Sequence, residues 1–323
     1  MTSDFYRGLF DRYPGNPIIR NRDLPYAANT VFNPAAAIVD GETLLLLRVE
    51  DMRGHSHLTV ARSKDGLTGW RFDPEPTFRA DPDGHPEEIW GIEDPRITYL
   101  DELGHWVIAY TAYSVGGPLV SLATTTDFKT FTRLGPVMSP EDKDAALFPV
   151  RFGGRWAMIH RPMPTSATAG AHMWISWSPD LKHWGDHRIL LRARRGAWWD
   201  AYKIGLSPPP LRTDEGWLVL YHGVKNTASG AIYRLGLALL DLEVPEKVIY
   251  RSDEWVFEPE PDYERFGDVD KVVFPCGWVL LDGEVRMYYG AADSRIAVAS
   301  AKVADLIEWL KRTASRMRRD DIA

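Results

Sequence analysis

One pattern returns along the whole chain and limits its fold more than any other feature. A glycine turn starts an apolar strand, and a second strand ending in small residues follows. The first strands read GETLLLLRV from Gly41, GHWVIAYTAY from Gly104, GRWAMIHRP from Gly154, GWLVLYHGV from Gly216 and GEVRMYYGAA from Gly283. Four partners read HLTVARS, LVSLATT, MWISWSP and RIAVASA, and the fourth unit carries YRLGLALLD at the same place. Three partners run into SKDGLTGW, TTDFKTF and SPDLKHW, each with an Asp and then an aromatic about a turn later. Units of roughly 50 to 70 residues, β-rich with turn signals between strands, are the mark of radial repetition. A sandwich shares the strands but not the repeated Asp-turn-aromatic, so the expectation is all-β, a five-bladed β-propeller.

The ends differ. Residues 302–316 place Val303, Leu306, Ile307 and Leu310 on one helical face, which predicts a C-terminal amphipathic helix. Arg316, Arg318 and Arg319 then form a solvated basic tail that suits a helix C-terminus. Residues 1–30, with Pro14, Pro17 and Pro25, read as an arm wrapping the outside or a subunit boundary. The expected organisation is one catalytic propeller over 1–323, with an arm at 1–30 and a helix and tail at 302–323. The arm and helix make a homo-oligomer an open expectation.

Composition excludes several classes. A chain of 323 residues, 45% hydrophobic, can bury a large core. Its net charge of -7 lacks the basic footprint of a nucleic-acid binder. A lone cysteine, Cys276, allows no intramolecular disulfide and no cysteine metal cluster. The first residues do not read as a signal peptide and no run is long enough to span a bilayer, so the expectation is a cytoplasmic protein without membrane or nucleic-acid partners. The 13 Trp, 13 Tyr and 12 Phe suit β-rich packing, and equally the stacking of sugar rings on aromatic faces. HExxH, GxSxG and Gly-rich nucleotide loops are missing, which disfavours metal hydrolase, serine esterase and nucleotide enzyme readings.

In a propeller, residues at the ends of inner strands converge on one axial pocket. The first unit supplies Asn33, Arg48, Glu50 and Asp51, and the bridge to the second supplies Glu93, Asp94 and Arg96. The third supplies Lys143, Asp144, His160 and Arg161. The fourth adds Asp200, Lys203, His222, Tyr233 and Arg234, and the fifth Asp293. Singly, each has an ordinary explanation: His160 as a satisfied core histidine, Asp293 as a turn cap, Lys203 as a solvated cation. Together they describe a pocket of mixed sign, with carboxyls beside a cationic cluster, which suits acid catalysis next to an anion site.

These motifs resemble glycoside hydrolase family 130, the inverting β-mannoside phosphorylases and related β-mannosidases. The carriers are VFNPAA at 31–36, LLLLRVED at 44–51, WGIEDPRI at 90–97, KDAALFP at 143–149, IHRP at 159–162, WWDAYKIG at 198–205, YHGV at 221–224 and VVFPCGWVL at 272–280. The resemblance implies a five-bladed propeller that cleaves β-1,2- or β-1,4-mannobiose and mannooligosaccharides with phosphate, giving α-mannose 1-phosphate with inversion. It implies Asp94 as catalytic acid, acting through the sugar's 3-hydroxyl. It implies a phosphate set of Lys143, Arg161, Lys203, His222 and Tyr233; the position of Lys143 can be arginine in other members. Asn33, Arg48, Glu50 and Asp51 would hold sugar hydroxyls. Further substrate contacts would come from Glu93, Tyr113, His160, Asp200 and Asp293, with Trp90 a second stacking candidate. Glu93 could instead brace a loop. No metal or organic cofactor is implied, only inorganic phosphate as co-substrate. A hydrolase of the same fold and a non-catalytic sugar-binding propeller remain alternatives.

Overall fold

The computed structural model describes residues 8–164, 170–228 and 230–316. Five separate antiparallel sheets form the blades of a propeller. Blade I holds Thr30–Val39, Glu42–Glu50, Ser56–Ser63 and Arg71–Phe72; blade II holds Ile92–Leu100, His105–Ser114, Gly117–Thr125 and Thr132–Pro136. Blade III runs through Asp142–Phe152, Arg155–Pro162, Met173–Ser178 and Gly185–Leu191. Blade IV is built from Lys203–Leu206, Gly216–Thr227, Gly230–Leu240 and Val248–Arg251, with Leu211–Thr213 also on the second strand. Blade V comprises Val273–Leu281, Glu284–Ala291 and Arg295–Lys302.

The apolar runs are continuous rather than alternating because every blade is covered on both faces. Leu44 and Leu46 join the core against blade II, whereas Leu45 and Leu47 join the core against blade V. Blade IV repeats the division: Leu218 and Leu220 face blade V, and Val219 and Tyr221 face blade III. The hydrophobic core is therefore a ring of five layers, one between each pair of neighbours.

The repeated Asp has a structural task. Asp65 Oδ1 accepts the backbone N–H of Leu67 and Thr68, Asp127 Oδ1 those of Lys129 and Thr130, and Asp180 Oδ1 those of Lys182 and His183. Asp241 does the same for Glu243 and Val244 in blade IV, a fourth copy hidden by its apolar surroundings in LLDLEV. Such side chain–backbone bonds satisfy turn donors that no strand can pair.

The arm does more than wrap. Asp11–Arg12 and Ile19–Arg20 pair with Arg295–Lys302 and supply the outer edge of blade V. The C-terminal helix, Val303–Thr313, buries Leu306, Ile307, Trp309 and Leu310. It stops short of residue 316 because Ser315 and Arg316 pair with Arg251 and Tyr250 at the edge of blade IV. Arg318 and Arg319 lie outside the described residues. No helix among the described residues is long and apolar enough to cross a membrane.

Candidate active site

Three blades share one backbone device at the axis. In blade I the pairing jumps from Phe32↔Arg48 to Ala35↔Leu46, in blade II from Glu93↔Thr111 to Arg96↔Ala109, and in blade III from Lys143↔Arg161 to Ala146↔Ile159. Each jump is a bulge that leaves one extra residue on the inner strand. Asn33, Asp94 and Asp144 occupy it with φ of 46°, 48° and 57°. Asn and Asp tolerate this left-handed region better than other side chains with a Cβ. Pro34 and Pro95 follow two of them, where an N–H is dispensable.

The three bulge side chains line one cavity of about 240 Å³. Arg48 joins them from blade I, and Lys143 and Arg161 from blade III. Blade IV contributes Lys203, His222 and Tyr233, and blade V contributes Val269, Val272, Phe274 and Asp293. Arg96 lies beneath. It donates to the carbonyls of Ser207 and Leu206 of blade IV and to its own Asp94 carbonyl, each at 3.0 Å. It also stands 3.5 Å from Asp144 Oδ1. The arginine of WGIEDPRI is thus a bolt across the axis rather than a ligand-facing group.

Asp94 Oδ1 accepts from Asn33 Nδ2 and from Arg48 Nη1, both at 2.9 Å. Burial alone would raise its pKa, but Arg48, Arg96 and Lys143 outweigh that and hold the carboxyl below its ordinary range. Asp293 goes the other way. Burial, with Asp94, Asp268 and Glu50 adding repulsion against the pull of Arg48, lifts it to about 7. Lys203, desolvated and repelled by Arg161 and Lys143, falls to about 8. Burial lowers His222 against the pull of Asp144, and pushes Tyr233 up to about 12. Asn33 Oδ1, Asp293 Oδ1 and His222 Nε2 are buried without a hydrogen-bond partner. Unsatisfied groups of this kind are uncommon in a finished core and point to a polar ligand.

Nine of the expected site residues meet in this cavity: Asn33, Arg48, Asp94, Lys143, Arg161, Lys203, His222, Tyr233 and Asp293. Glu93 stands beside it, bound by Arg48 Nη2 at 3.0 Å and 3.9 Å from Lys143 Nζ, so it braces those two cations. Five others do not line it. Glu50 accepts from Asn29, and Asp51 organises its hairpin by accepting from Arg53 and His55 N–H groups. Tyr113 packs edge-to-face on Trp90 with centroids 5.2 Å apart, both partly exposed. His160 is a satisfied core histidine, held between Asp142 Oδ2 at 2.6 Å and Ser176 Oγ at 2.7 Å. Asp200 is fully buried under Tyr221 and bound by Arg251 at 2.8 Å, where it anchors the segment leading to Lys203. Arg234 likewise pairs with Glu258. Polar type and nearness to a strand end selected these residues, but side-chain direction, which alternates along a strand, sends them elsewhere. The apolar wall of Val269, Val272 and Phe274 was missed, since apolar residues carry no site signal in a chain full of them.

A family model described as β-1,4-mannooligosaccharide phosphorylase, glycoside hydrolase family 130, matches residues 12–312. The chain belongs to glycoside hydrolase family 130. Among family 130 relatives, the β-1,4-mannooligosaccharide phosphorylase of Ruminococcus albus is 36% identical over 94% of this chain and 91% of its own. The 1,2-β-oligomannan phosphorylase of a Thermoanaerobacter species is also 36% identical, over 85% of this chain and 91% of its own. The solved β-1,2-mannobiose phosphorylase of Listeria innocua, in complex with β-1,2-mannobiose, superposes with a TM-score of 0.85 at 30% identity. That superposition covers 94% of this chain and 99% of that one.

Proposed function

We propose that this protein is a β-mannoside phosphorylase that cleaves mannobiose or mannooligosaccharides with inorganic phosphate and inversion, releasing α-mannose 1-phosphate. The observation that carries this reading is the cluster of Lys143, Arg161, Lys203 and His222 facing Asp94 across one small cavity. Phosphate is already a nucleophile and needs no base; it needs donors that hold it in line. Arg161 brings a permanently charged guanidinium suited to a phosphate oxygen. Asn33, Arg48 and Asp293, which line the same cavity, would take mannosyl hydroxyls. Neither a metal nor an organic cofactor enters the scheme.

In the reaction a phosphate oxygen bonds to C1 as the bond from C1 to the departing sugar oxygen breaks. That oxygen receives a proton from Asp94, by way of the 3-hydroxyl as the family resemblance implies. An acid must enter protonated, yet three cations keep Asp94 ionised in the free pocket. A bound phosphate dianion beside Lys143 counters part of that field and raises Asp94 toward its working state. Phosphate would then both attack and arm the acid. The relatives named above divide between 1,4 and 1,2 linkages, and both are within this reading. We place the reaction in the cytoplasm, where a charged sugar phosphate is retained.

Hydrolysis at the same site would require a carboxylate base for water. Asp293, lifted to about 7, is the cavity group that could serve. The test is to supply β-1,2- and β-1,4-mannobiose with and without phosphate and to follow mannose 1-phosphate and free mannose. Mannose 1-phosphate formed only with phosphate is expected, and the better substrate identifies the linkage. Free mannose at equal rates in both buffers would refute phosphorolysis.

A further inference from the structure

We propose that Asp144 is the positioning residue of the anion clamp: a buried carboxylate, not a ligand, that orients Arg161 and His222 and offsets the mutual repulsion of the clamp's cations. The proposal depends on reading that cluster as the phosphate site. Asp144 is 1% exposed at the third axial bulge. Its Oδ2 accepts from Arg161 Nε at 2.7 Å and stands 3.3 Å from His222 Nε2. Engaging Nε, while Nη1 meets Met163 Sδ, leaves Nη2 of Arg161 for an incoming oxyanion. Arg96 meets the other oxygen, Oδ1, from below at 3.5 Å.

A carboxylate next to a phosphate would repel it, so its presence there requires a reason. Lys143, Arg161 and Lys203 line one cavity of about 240 Å³, where like charges repel strongly. Lys203 is the cation that yields. It is desolvated, faces Arg161 and Lys143, and sits near the rings of Tyr202 and Tyr233. Asp144 opposes the loss of its proton. Asp144 itself stays ionised because Arg161, His222 and Arg96 overcome its burial. Removing its charge would leave Arg161 without its anchor and let Lys203 deprotonate at lower pH.

The experiment measures initial rates against phosphate, and separately against mannobiose, from about pH 6 to about pH 9 for the unmodified protein, Arg161→Ala and Asp144→Asn. Arg161→Ala reads the anion site itself, and its phosphate KM is expected to rise at least about tenfold. Asp144→Asn is expected to raise the phosphate KM about tenfold and leave the mannobiose KM within about twofold. It also moves the alkaline limb of phosphate affinity about one unit lower. An Asp144→Asn protein with an unchanged phosphate KM and limb overturns the proposal. So does one whose kcat and both KM values deteriorate together with the limb unmoved, since that is damage to the fold. If Arg161→Ala leaves the phosphate KM untouched, the phosphate-site reading fails first, whatever Asp144→Asn does. Should Asp144→Asn not fold, Asp144→Ser keeps a hydrogen-bond acceptor without charge and is read by the same criteria.

Discussion

At the scale of single residues, the pocket is organised by two carboxyls driven in opposite directions. Asp94 has one cation, Arg48, and the Asn33 amide bonded to it; Asp293 has a buried oxygen with no donor. Pairs separated in this way commonly mark a division of roles in a site. Asp293 also has a thermodynamic signature. Its folded pKa of about 7 lies above that of an unfolded carboxyl, so the native state holds a proton that the unfolded state has lost. Stability therefore falls as pH rises from the ordinary carboxyl range to about 7, and the full cost is present above that. Asp293→Asn is expected to raise the melting temperature by a margin that grows between about pH 4 and about pH 7 and then levels off. Sugar turnover should fall in the same variant, the usual conflict between a site and its fold. A margin that does not change with pH would remove Asp293 from this account.

At the scale of elements, inner strands are shaped by what they must admit. The first strand of blade IV is only Lys203–Leu206 and carries Gly205, where a Cβ would overlap the Asp144 carboxylate and the His222 ring. Glycine here is a matter of space, since blade III projects its bulge carboxylate against this strand. Gly205→Ala should cost about 1–3 kcal/mol in stability and lower turnover; thermal melts and initial rates would register both. A stable, fully active Gly205→Ala protein would show that the contact can relax. Blade count and most of the cationic cluster were legible in the sequence, because apolar runs after glycine turns and charges at strand ends are local signals; strand order was not, since each run read as a first strand is the second strand of its blade. The shared bulge was legible only in part. FNPAA, EDPRI and KDAAL are one position in three blades, and reading them together would have put Asp144 beside Asn33 and Asp94. His160 and Asp200 misled because a buried, satisfied polar residue and a ligand-facing one have the same letter. Only their hydrogen-bond partners, distant in sequence, distinguish them.

At the scale of the whole molecule, the ring is closed by its own beginning. Asp11–Arg12 and Ile19–Arg20 complete blade V, Phe10 and Ile19 enter the neighbouring cores, and Arg12 pairs with the fully buried Glu264 at 2.8 Å. Arg12→Ala should cost about 3 kcal/mol by stranding that carboxylate. Urea unfolding would measure it, and a midpoint unchanged from the unmodified protein would mean that the clasp carries no load. The clasp has a further consequence for how the chain is made. Asp11 leaves the ribosome long before its partner Ser300, with nearly the whole propeller between them. At about 5–20 residues per second the interval is on the order of tens of seconds. Through that interval the nascent protein is an open arc with two bare edges, and the pocket that five blades share cannot exist until the arc shuts.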